Sequence, residues 1–365
     1  MKKTLLALAA FAAASAAFAQ SSVTLYGVVD VSVEKVKGDH QVNRVSSDNL
    51  TISRIGFKGT EDIGGGLKAN FVLESAVGAD TGASNTTRFF DRAAWVGLAG
   101  GAGELRLGRQ DSSIGALAGD VTILGGQNYD DLKIVGTRAA VAYRREDNAI
   151  TYVLPAVVPG VTAQVQYSTA AGISGPTASI STGAEGTAPY TGNYNKAYGL
   201  SVKYAAGPVI AGLGYLNVAD SDSATPGDQR ANATLVYGGY DLGVAKVIGY
   251  FDSETNPSNI AAPAADRKRL SLYGLKAIVP VSADLSVQAG ISKAKNVAGK
   301  DAGNDDAVIT SVKAVYKLSK RTAVYGIATA VNNETQAGKV ISGAPALTNK
   351  DALAGGVAFG INHAF

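Results

Sequence analysis

Three arginines, Arg54, Arg92 and Arg145, occur in segments whose apolar residues alternate with small or polar ones. Successive side chains of a β-strand point to opposite faces, so residues of one parity share a face. Ile55 and Phe57 define an apolar face in the first segment, which leaves Arg54 on the opposite face. A guanidinium group stays charged at physiological pH and binds carboxylates and phosphates. Arginines that share the polar face of one sheet would form a basic surface that attracts anions.

The same counting applies to the other two arginines. Assigning Trp95 to the apolar face predicts that Arg92 points to the polar face. Ile150 begins an apolar set that predicts the polar face for Arg145 and Asp147. A single β-bulge would exchange Arg145 for its neighbour Arg144, so this alternative stays open.

Further charged residues would extend or oppose this basic surface. Parity places four more basic side chains on the polar face: Lys58, Arg106, Lys313 and Lys317. Glu74 has the same orientation by parity and is a candidate partner for the arginines. The basic surface therefore contains at least one predicted carboxylate.

The segment 111–142 is a second source of acidic groups. It runs for about thirty residues without a strand pattern, and loops of that length are often functional. If it folds onto the basic face, Asp111, Asp120, Asp130 and Asp131 are its acidic groups, with Asp120 the candidate for its tip. An acidic loop facing a basic wall would set up a transverse field that acts on small ions.

Composition excludes several kinds of chemistry. The chain of 365 residues has no cysteine, which rules out disulfides, thiolate metal sites and a cysteine nucleophile. With only His40 and His363, neither a histidine metal cluster nor a Ser-His-Asp triad is plausible. The formal charge of +3 is low for a nucleic-acid-binding protein. We therefore expect no enzyme activity, no cofactor, no metal and no nucleic-acid partner.

The first residues have the features of a secretory signal peptide. A basic start at Lys2 and Lys3 precedes an apolar stretch and the Ala17-Phe18-Ala19 cleavage pattern. The apolar stretch is too short for a transmembrane helix. We predict a signal peptide over 1–19 and a single domain over 20–365.

The mature chain is dominated by alternating segments. Most candidate strands have 8–14 residues, longer than the five or six that are usual in soluble sheets and suited to tilted membrane strands of about 9–11 residues. There are sixteen of them, at 23–36, 49–60, 67–77, 88–98, 103–110, 143–154, 161–168, 196–205, 208–218, 229–241, 243–252, 268–279, 284–294, 306–318, 321–332 and 352–365.

The connections between these segments alternate strictly between short turns and long polar loops. An antiparallel up-and-down meander in an outer membrane has this arrangement, with short turns at one rim and long loops at the other. The sequence therefore predicts an all-β fold, a 16-stranded antiparallel transmembrane β-barrel. A closed sheet satisfies the backbone in lipid, and a barrel of this size encloses an aqueous channel. The prediction is a water-filled pore for passive diffusion of small hydrophilic solutes and ions, with a preference for anions.

Several short motifs also match a known family. They are Ser22-Val23-Thr24-Leu25-Tyr26-Gly27, Ser53-Arg54-Ile55-Gly56-Phe57-Lys58-Gly59-Thr60-Glu61-Asp62-Ile63-Gly64, Gly66-Leu67-Lys68-Ala69, Val96-Gly97-Leu98, Leu107-Gly108-Arg109-Gln110 and the terminal strand ending in Phe365. With these motifs, the chain resembles the general trimeric porins of Gram-negative outer membranes, in their β-proteobacterial and neisserial branch.

The resemblance implies features that the residues alone do not. It implies a homotrimer with one pore per subunit, surrounded by outer-membrane lipid and lipopolysaccharide, and a third long loop folded into the lumen. It implies a constriction lined by a basic ladder, a role that falls to Arg54, Arg92 and Arg145. It also implies that Phe365 is read by the outer-membrane assembly machinery.

Two other functions remain open at this point. A barrel whose loops bind partners, as in an adhesin, would need no conducting lumen. A substrate-specific channel would need aromatic side chains along the lumen, whereas parity places most tyrosines outside or at the rims.

The terminal aromatic residue leads to a first prediction. Deleting Phe365 should lower the amount of protein assembled in the outer membrane more than it lowers the stability of the folded barrel. Immunoblots of outer-membrane fractions, with urea unfolding of the refolded protein, measure the two effects separately. Normal outer-membrane yield of the truncated chain would contradict the assembly role.

Overall fold

The computed structural model describes residues 22–84, 88–122, 128–137, 144–169, 196–220, 229–255, 268–298 and 303–365. The predicted signal peptide and most of the predicted loop 169–195 lie outside these ranges. Within them, no helix has the length and apolar character needed to cross a bilayer.

Antiparallel strands make up most of the described chain. They are β1 (Ser22–Lys37), β2 (Gln41–Ser47), β3 (Arg54–Gly64), β4 (Leu67–Gly78), β5 (Ala83–Ser84), β6 (Ala93–Gly100), β7 (Gly103–Asp111), β8 (Arg145–Val153), β9 (Val161–Ser168), β10 (Ala197–Ala206), β11 (Val209–Asp220), β12 (Gln229–Asp241), β13 (Lys246–Thr255), β14 (Arg269–Pro280), β15 (Leu285–Lys295), β16 (Ala307–Lys317), β17 (Thr322–Asn333) and β18 (Ala354–Ala364). Two short helices, α1 (Gly115–Val121) and α2 (Asp131–Val135), lie between β7 and β8.

The strands form one closed sheet. Apart from β2 and β5, the strands pair in chain order, and β18 returns to pair with β1 from Val28–Ala364 to Lys37–Gly355. β3 pairs with the first half of β1 and β2 with the second half, so these two strands share one position in the wall. β5 only adds a short hairpin to the end of β4. The ring therefore has sixteen positions, which confirms the predicted 16-stranded barrel.

Alternation along each strand explains why the sheet closes with this orientation. On β18, Val357, Phe359 and Ile361 are exposed on the outer surface, while Ala358 between them is buried. The same pattern of large apolar residues outside and small or polar residues inside recurs around the ring. Because lipid offers no hydrogen bonds to an unpaired strand edge, a closed sheet with an apolar outer face is the form that such strands adopt in a bilayer.

The wall departs from the sequence prediction near its start. Residues 41–47, expected within a long loop, form β2, and β3 begins at Arg54 instead of at residue 49. Between the two strands the chain leaves the sheet at Asp48, whose φ is 71°, and turns inward. Asn49 is completely buried there, and its backbone N–H donates to the Asp30 carboxylate at 3.0 Å. Buried polar partners inside the barrel thus delay the start of the strand that alternation predicts from residue 49.

The long segment after β7 folds into the barrel, as the resemblance implied. Helix α1 contacts β10, β11 and β13, and its apolar residues Leu117, Ala118 and Val121 belong to a buried cluster with the inner wall. Farther along the same segment, the Tyr129 O–H donates to the Glu34 carboxylate on β1 at 2.9 Å. The loop therefore covers the wall from β10 to β14 and leaves the wall from β3 to β8 facing the open lumen.

Two glycines in the wall allow this close approach. A Cβ atom on Gly199 of β10 would lie 2.7 Å from Ser113 Oγ, and one on Gly214 of β11 would lie 3.1 Å from a Leu117 methyl group. Either distance is shorter than normal packing permits. The position of α1 thus depends on the absence of side chains at these two sites.

We expect Gly199→Val to push α1 toward the centre of the lumen, at a cost of about 1–3 kcal/mol for overpacking. Single-channel conductance in planar bilayers should fall, because the loop then occupies more of the pore. Gly238→Val on β12, where a Cβ meets nothing within 4 Å, is the matched control. Equal conductance of Gly199→Val and the unmodified protein would contradict this account of the loop.

Candidate functional site

Charged residues gather around a cavity between the exposed wall and the start of the loop. The cavity has a volume of about 290 Å³. It lies where β4, β6, β7, β8 and β9 face the residues before and within α1. Its lining residues are Glu74, Arg92, Ala93, Trp95, Arg106, Gln110, Asp111, Ala116, Arg145 and Gln164.

Two guanidinium groups share the Glu74 carboxylate on β4. Arg92 Nε lies 2.5 Å from one oxygen, and Arg54 Nε lies 3.5 Å from the other. The Tyr26 O–H also donates to Glu74, at 2.9 Å. One negative charge thus fixes two arginines that parity had assigned to the lumen.

Asp111, the last residue of β7, is shared in the same way. Arg145 Nε lies 3.2 Å from one carboxylate oxygen and Arg144 Nη2 lies 3.5 Å from the other. Both candidates therefore reach the same acid, but of the two only Arg145 lines the cavity.

A bulge separates these two arginines from the regular part of β8. Between the Gly108–Ala149 and Gln110–Glu146 pairs, β8 has two residues where β7 has one. Asn148 in this bulge has a φ of 50°. Face assignments counted along β8 therefore do not extend through the bulge to its first residues.

A third carboxylate repeats the pattern at the end of the wall. Arg109 Nη1 lies 2.5 Å and Arg88 Nη1 lies 2.6 Å from separate oxygens of Asp147. Arg106 differs, because it pairs with its own acid, Glu104, at 2.5 Å. In these ion pairs seven arginines share four carboxylates, so arginines outnumber the acids that they bind.

The predicted orientation of Trp95 is wrong. On β6, Val96 and Leu98 are 55% and 54% exposed on the outer face, so Trp95 has inward parity and lines the cavity. Arg92 precedes the first residue of β6, Ala93, and lies in a bend. Counting from Trp95 therefore predicted the inward orientation of Arg92 correctly, but it started from an incorrect orientation of Trp95.

Three of the loop aspartates, Asp120, Asp130 and Asp131, do not face the arginines, although the sequence suggested that they would. Asp120 on α1 is 2.7 Å from Lys203 Nζ on β10 and also accepts a hydrogen bond from the Tyr237 O–H at 2.7 Å. It therefore anchors α1 to the opposite wall instead of forming an acidic tip over the basic one.

Asp130 and Asp131 are buried. Asp130 caps α2 by accepting a hydrogen bond from the Leu132 N–H at 3.0 Å, and Asp131 accepts one from the Tyr250 O–H on β13. Burial, and then the neighbouring Asp131 carboxylate, raises the pKa of Asp130 well above its usual range. Among the described loop residues, Asp111 is the acid that meets the arginines.

The remaining predicted basic residues lie elsewhere on the inner wall or at its rim. Lys58 is exposed, with its ammonium 5.2 Å from the centre of the Tyr26 ring. Lys313 is buried on β16 on the far side of the barrel, and Lys317 is exposed at the short-turn end of the same strand. They are not part of the arginine cluster.

Phe365 lies at the seam of the barrel. Its backbone pairs with that of Gly27 through N–O distances of 3.1 and 3.2 Å, and its ring is 43% exposed on the outer surface. The terminal residue therefore extends the β1–β18 pairing.

Sequence reasoning missed three members of the wall. Glu104 could have been found, because it stands two residues from Arg106 and so shares its face. Arg88 could also have been found, because it shares the parity of Arg92 in the predicted strand 88–98. Arg109 could not, because it has the parity of the outward Leu107 and lies opposite the bulge. No group of acidic or histidine side chains among the described residues is arranged to hold a metal ion.

Known proteins are similar to this chain in sequence and in structure. The chain is 32% identical to outer membrane porin protein 32 of Delftia acidovorans over the full length of both. A 34% identical match to major outer membrane protein P.IB of Neisseria meningitidis covers 41% of this chain and 51% of that protein. The structure superposes on the anion-selective porin from Comamonas acidovorans with a TM-score of 0.72 at 28% identity, covering 95% of this chain and 100% of that one.

The family model described as Gram-negative porin matches residues 4–336, which is most of the chain. The closed sixteen-position ring, the apolar outer face and the loop folded into the lumen agree with that match. This chain therefore belongs to the Gram-negative porin family and forms an outer-membrane channel.

Proposed function

We propose that this channel passes anions more readily than cations, and that the arginine cluster sets the preference. The observation that carries the proposal is the sharing of Glu74, Asp111 and Asp147, each by two arginines. Each of these carboxylates supplies one negative charge for two guanidinium groups, so positive charge exceeds negative charge within these ion pairs. The wall beside the cavity therefore repels cations and attracts anions.

Apart from Asp111, the described acids of the loop do not offset this positive charge. Asp120 is paired with Lys203, and Asp130 and Asp131 are turned away into buried contacts. Two unit charges about 4 Å apart interact with about 1 kcal/mol in bulk water, and with more where water is partly excluded. A small excess of arginines over carboxylates beside the path of the ions is thus enough to discriminate between ions of opposite sign.

A homologue supports the direction of the preference. The porin from Comamonas acidovorans, 28% identical to this chain, is described as anion-selective. We extend that property to this chain because its own ion pairs leave an excess of arginines.

The wider setting follows from the resemblance to general porins. We propose that the protein forms a homotrimer in outer-membrane lipid and lipopolysaccharide, that small hydrophilic solutes and ions diffuse through each lumen, and that Phe365 serves the assembly machinery. We assign Arg54, Arg92 and Arg145 to the constriction, with Lys58, Arg106, Lys313 and Lys317 as further basic groups of the lumen. A barrel that acts only as an adhesin would show no conductance as purified protein in planar bilayers.

Replacing Arg54, Arg92 and Arg145 together with alanine should shift the reversal potential in a KCl gradient toward cations. The change leaves Glu74 without an arginine and Asp111 with only Arg144. An interaction of about 1 kcal/mol per charge corresponds to a fall of about fivefold or more in the anion-to-cation permeability ratio.

Each single substitution should act in the same direction with a smaller effect. Lys320→Ala in the short turn after β16 is the matched control, since it removes an exposed positive charge away from the cluster. An unchanged reversal potential in the triple variant, or an equal shift in Lys320→Ala, would refute the assignment to the arginine cluster.

A further inference from the structure

An aromatic side chain lines the cavity that holds the arginines. A pore that selects ions by charge alone does not require an aromatic residue there. Trp95 projects inward from β6 and lines the cavity together with Arg92, Arg106 and Arg145. The Arg106 guanidinium lies over the Trp95 ring, 4.7 Å from its centre. Two flat groups, an indole and a guanidinium, thus border the same space.

The residue paired with Trp95 on β7 has no side chain. It is Gly108, and the residue paired with Trp95 on β4 is Val72. A Cβ on Gly108 would lie 2.3 Å from the Ala94 carbonyl oxygen, so this position does not tolerate a larger residue. Residue 108 therefore adds no side chain beside the indole.

Polar groups are available at the other side of the cavity. Arg92 and Arg145 carry the guanidinium forks that suit a carboxylate, which binds in a bidentate manner. The Gln164 side-chain amide faces the cavity and makes no hydrogen bond within the described ranges. The volume of about 290 Å³ is at the lower end of that found for sites that bind small molecules.

We propose that this cavity is a transient binding site for small aromatic carboxylates on their way through the pore. The ring of the solute packs against the surface made by Trp95 and Arg106, since aromatic rings and guanidinium planes stack on one another. Its carboxylate displaces the Glu74 carboxylate from Arg92 and the Asp111 carboxylate from Arg145. The inference rests on the proposed anion preference and adds to it a choice among anions of equal charge.

Benzoate and cyclohexanecarboxylate separate ring stacking from charge and size, because the two acids differ chiefly in the aromatic ring. Each is titrated into symmetrical KCl, and the concentration that halves the current through the purified protein in planar bilayers is measured. An aromatic pair adds about 0.5–1.5 kcal/mol beyond burial, so benzoate should block at a concentration about two- to tenfold lower. Equal potency of the two acids would overturn the proposal.

Variants assign the difference to Trp95. Trp95→Leu keeps an apolar side chain without a ring and should bring the ratio of the two potencies close to one. Trp95→Phe keeps a smaller ring and should retain part of the ratio, so it tests the proposal even if the leucine variant does not assemble. Tyr316→Leu removes an aromatic ring from the outer face of β16 and should leave the ratio unchanged. A ratio unaffected by both Trp95 substitutions would contradict the role of the indole.

The reversal potential of the unmodified protein, measured in the same bilayers, separates the two claims. If the protein prefers anions but does not distinguish benzoate from cyclohexanecarboxylate, only the aromatic site is wrong. If it prefers cations, the charge assignment of the pore is wrong as well.

Discussion

The hydrocarbon of a bilayer offers no partner for an unpaired backbone N–H or C=O group, and the fold follows from that constraint. Every strand must have two neighbours, so the pairing of β18 with β1 is what allows the sheet to lie in lipid. A ring of sixteen positions encloses more space than wall side chains can fill. The chain reduces this space by folding the segment after β7 into the lumen, where it needs polar and apolar partners of its own.

Those partners divide the inner surface into two parts. From β10 to β14 the wall is covered by α1 and by the contacts of Asp120, Asp131 and Thr122, the last accepting a hydrogen bond from Lys276 Nζ at 2.9 Å. From β3 to β8 the wall stays open, and arginines outnumber carboxylates there. Sharing one acid between two arginines orders both side chains without neutralising both. The arginines are thereby held in place beside the cavity.

Much of the barrel could be predicted from local patterns. Alternation and loop lengths gave the sixteen strands, and the inward faces of β3 and β7 follow from exposed neighbours such as Ile55 and Leu107. The same counting was wrong at Trp95, because parity holds only within a continuous strand and Arg92 lies before β6 begins. It was wrong about the loop acids for a different reason. Which aspartate meets the arginines depends on how the loop packs across the lumen. The sequence around each aspartate does not indicate that Tyr250 or Lys203 will be its partner.

The reversal potential of the unmodified protein across a KCl gradient tests the central claim most directly. A wall whose ion pairs hold more arginines than carboxylates predicts a potential of the sign that marks anion preference near 0.1 M salt. The preference should weaken near 1 M, because the Debye length falls from about 10 Å to about 3 Å. A cation preference at low salt would contradict the account, and so would an anion preference that does not change with salt concentration.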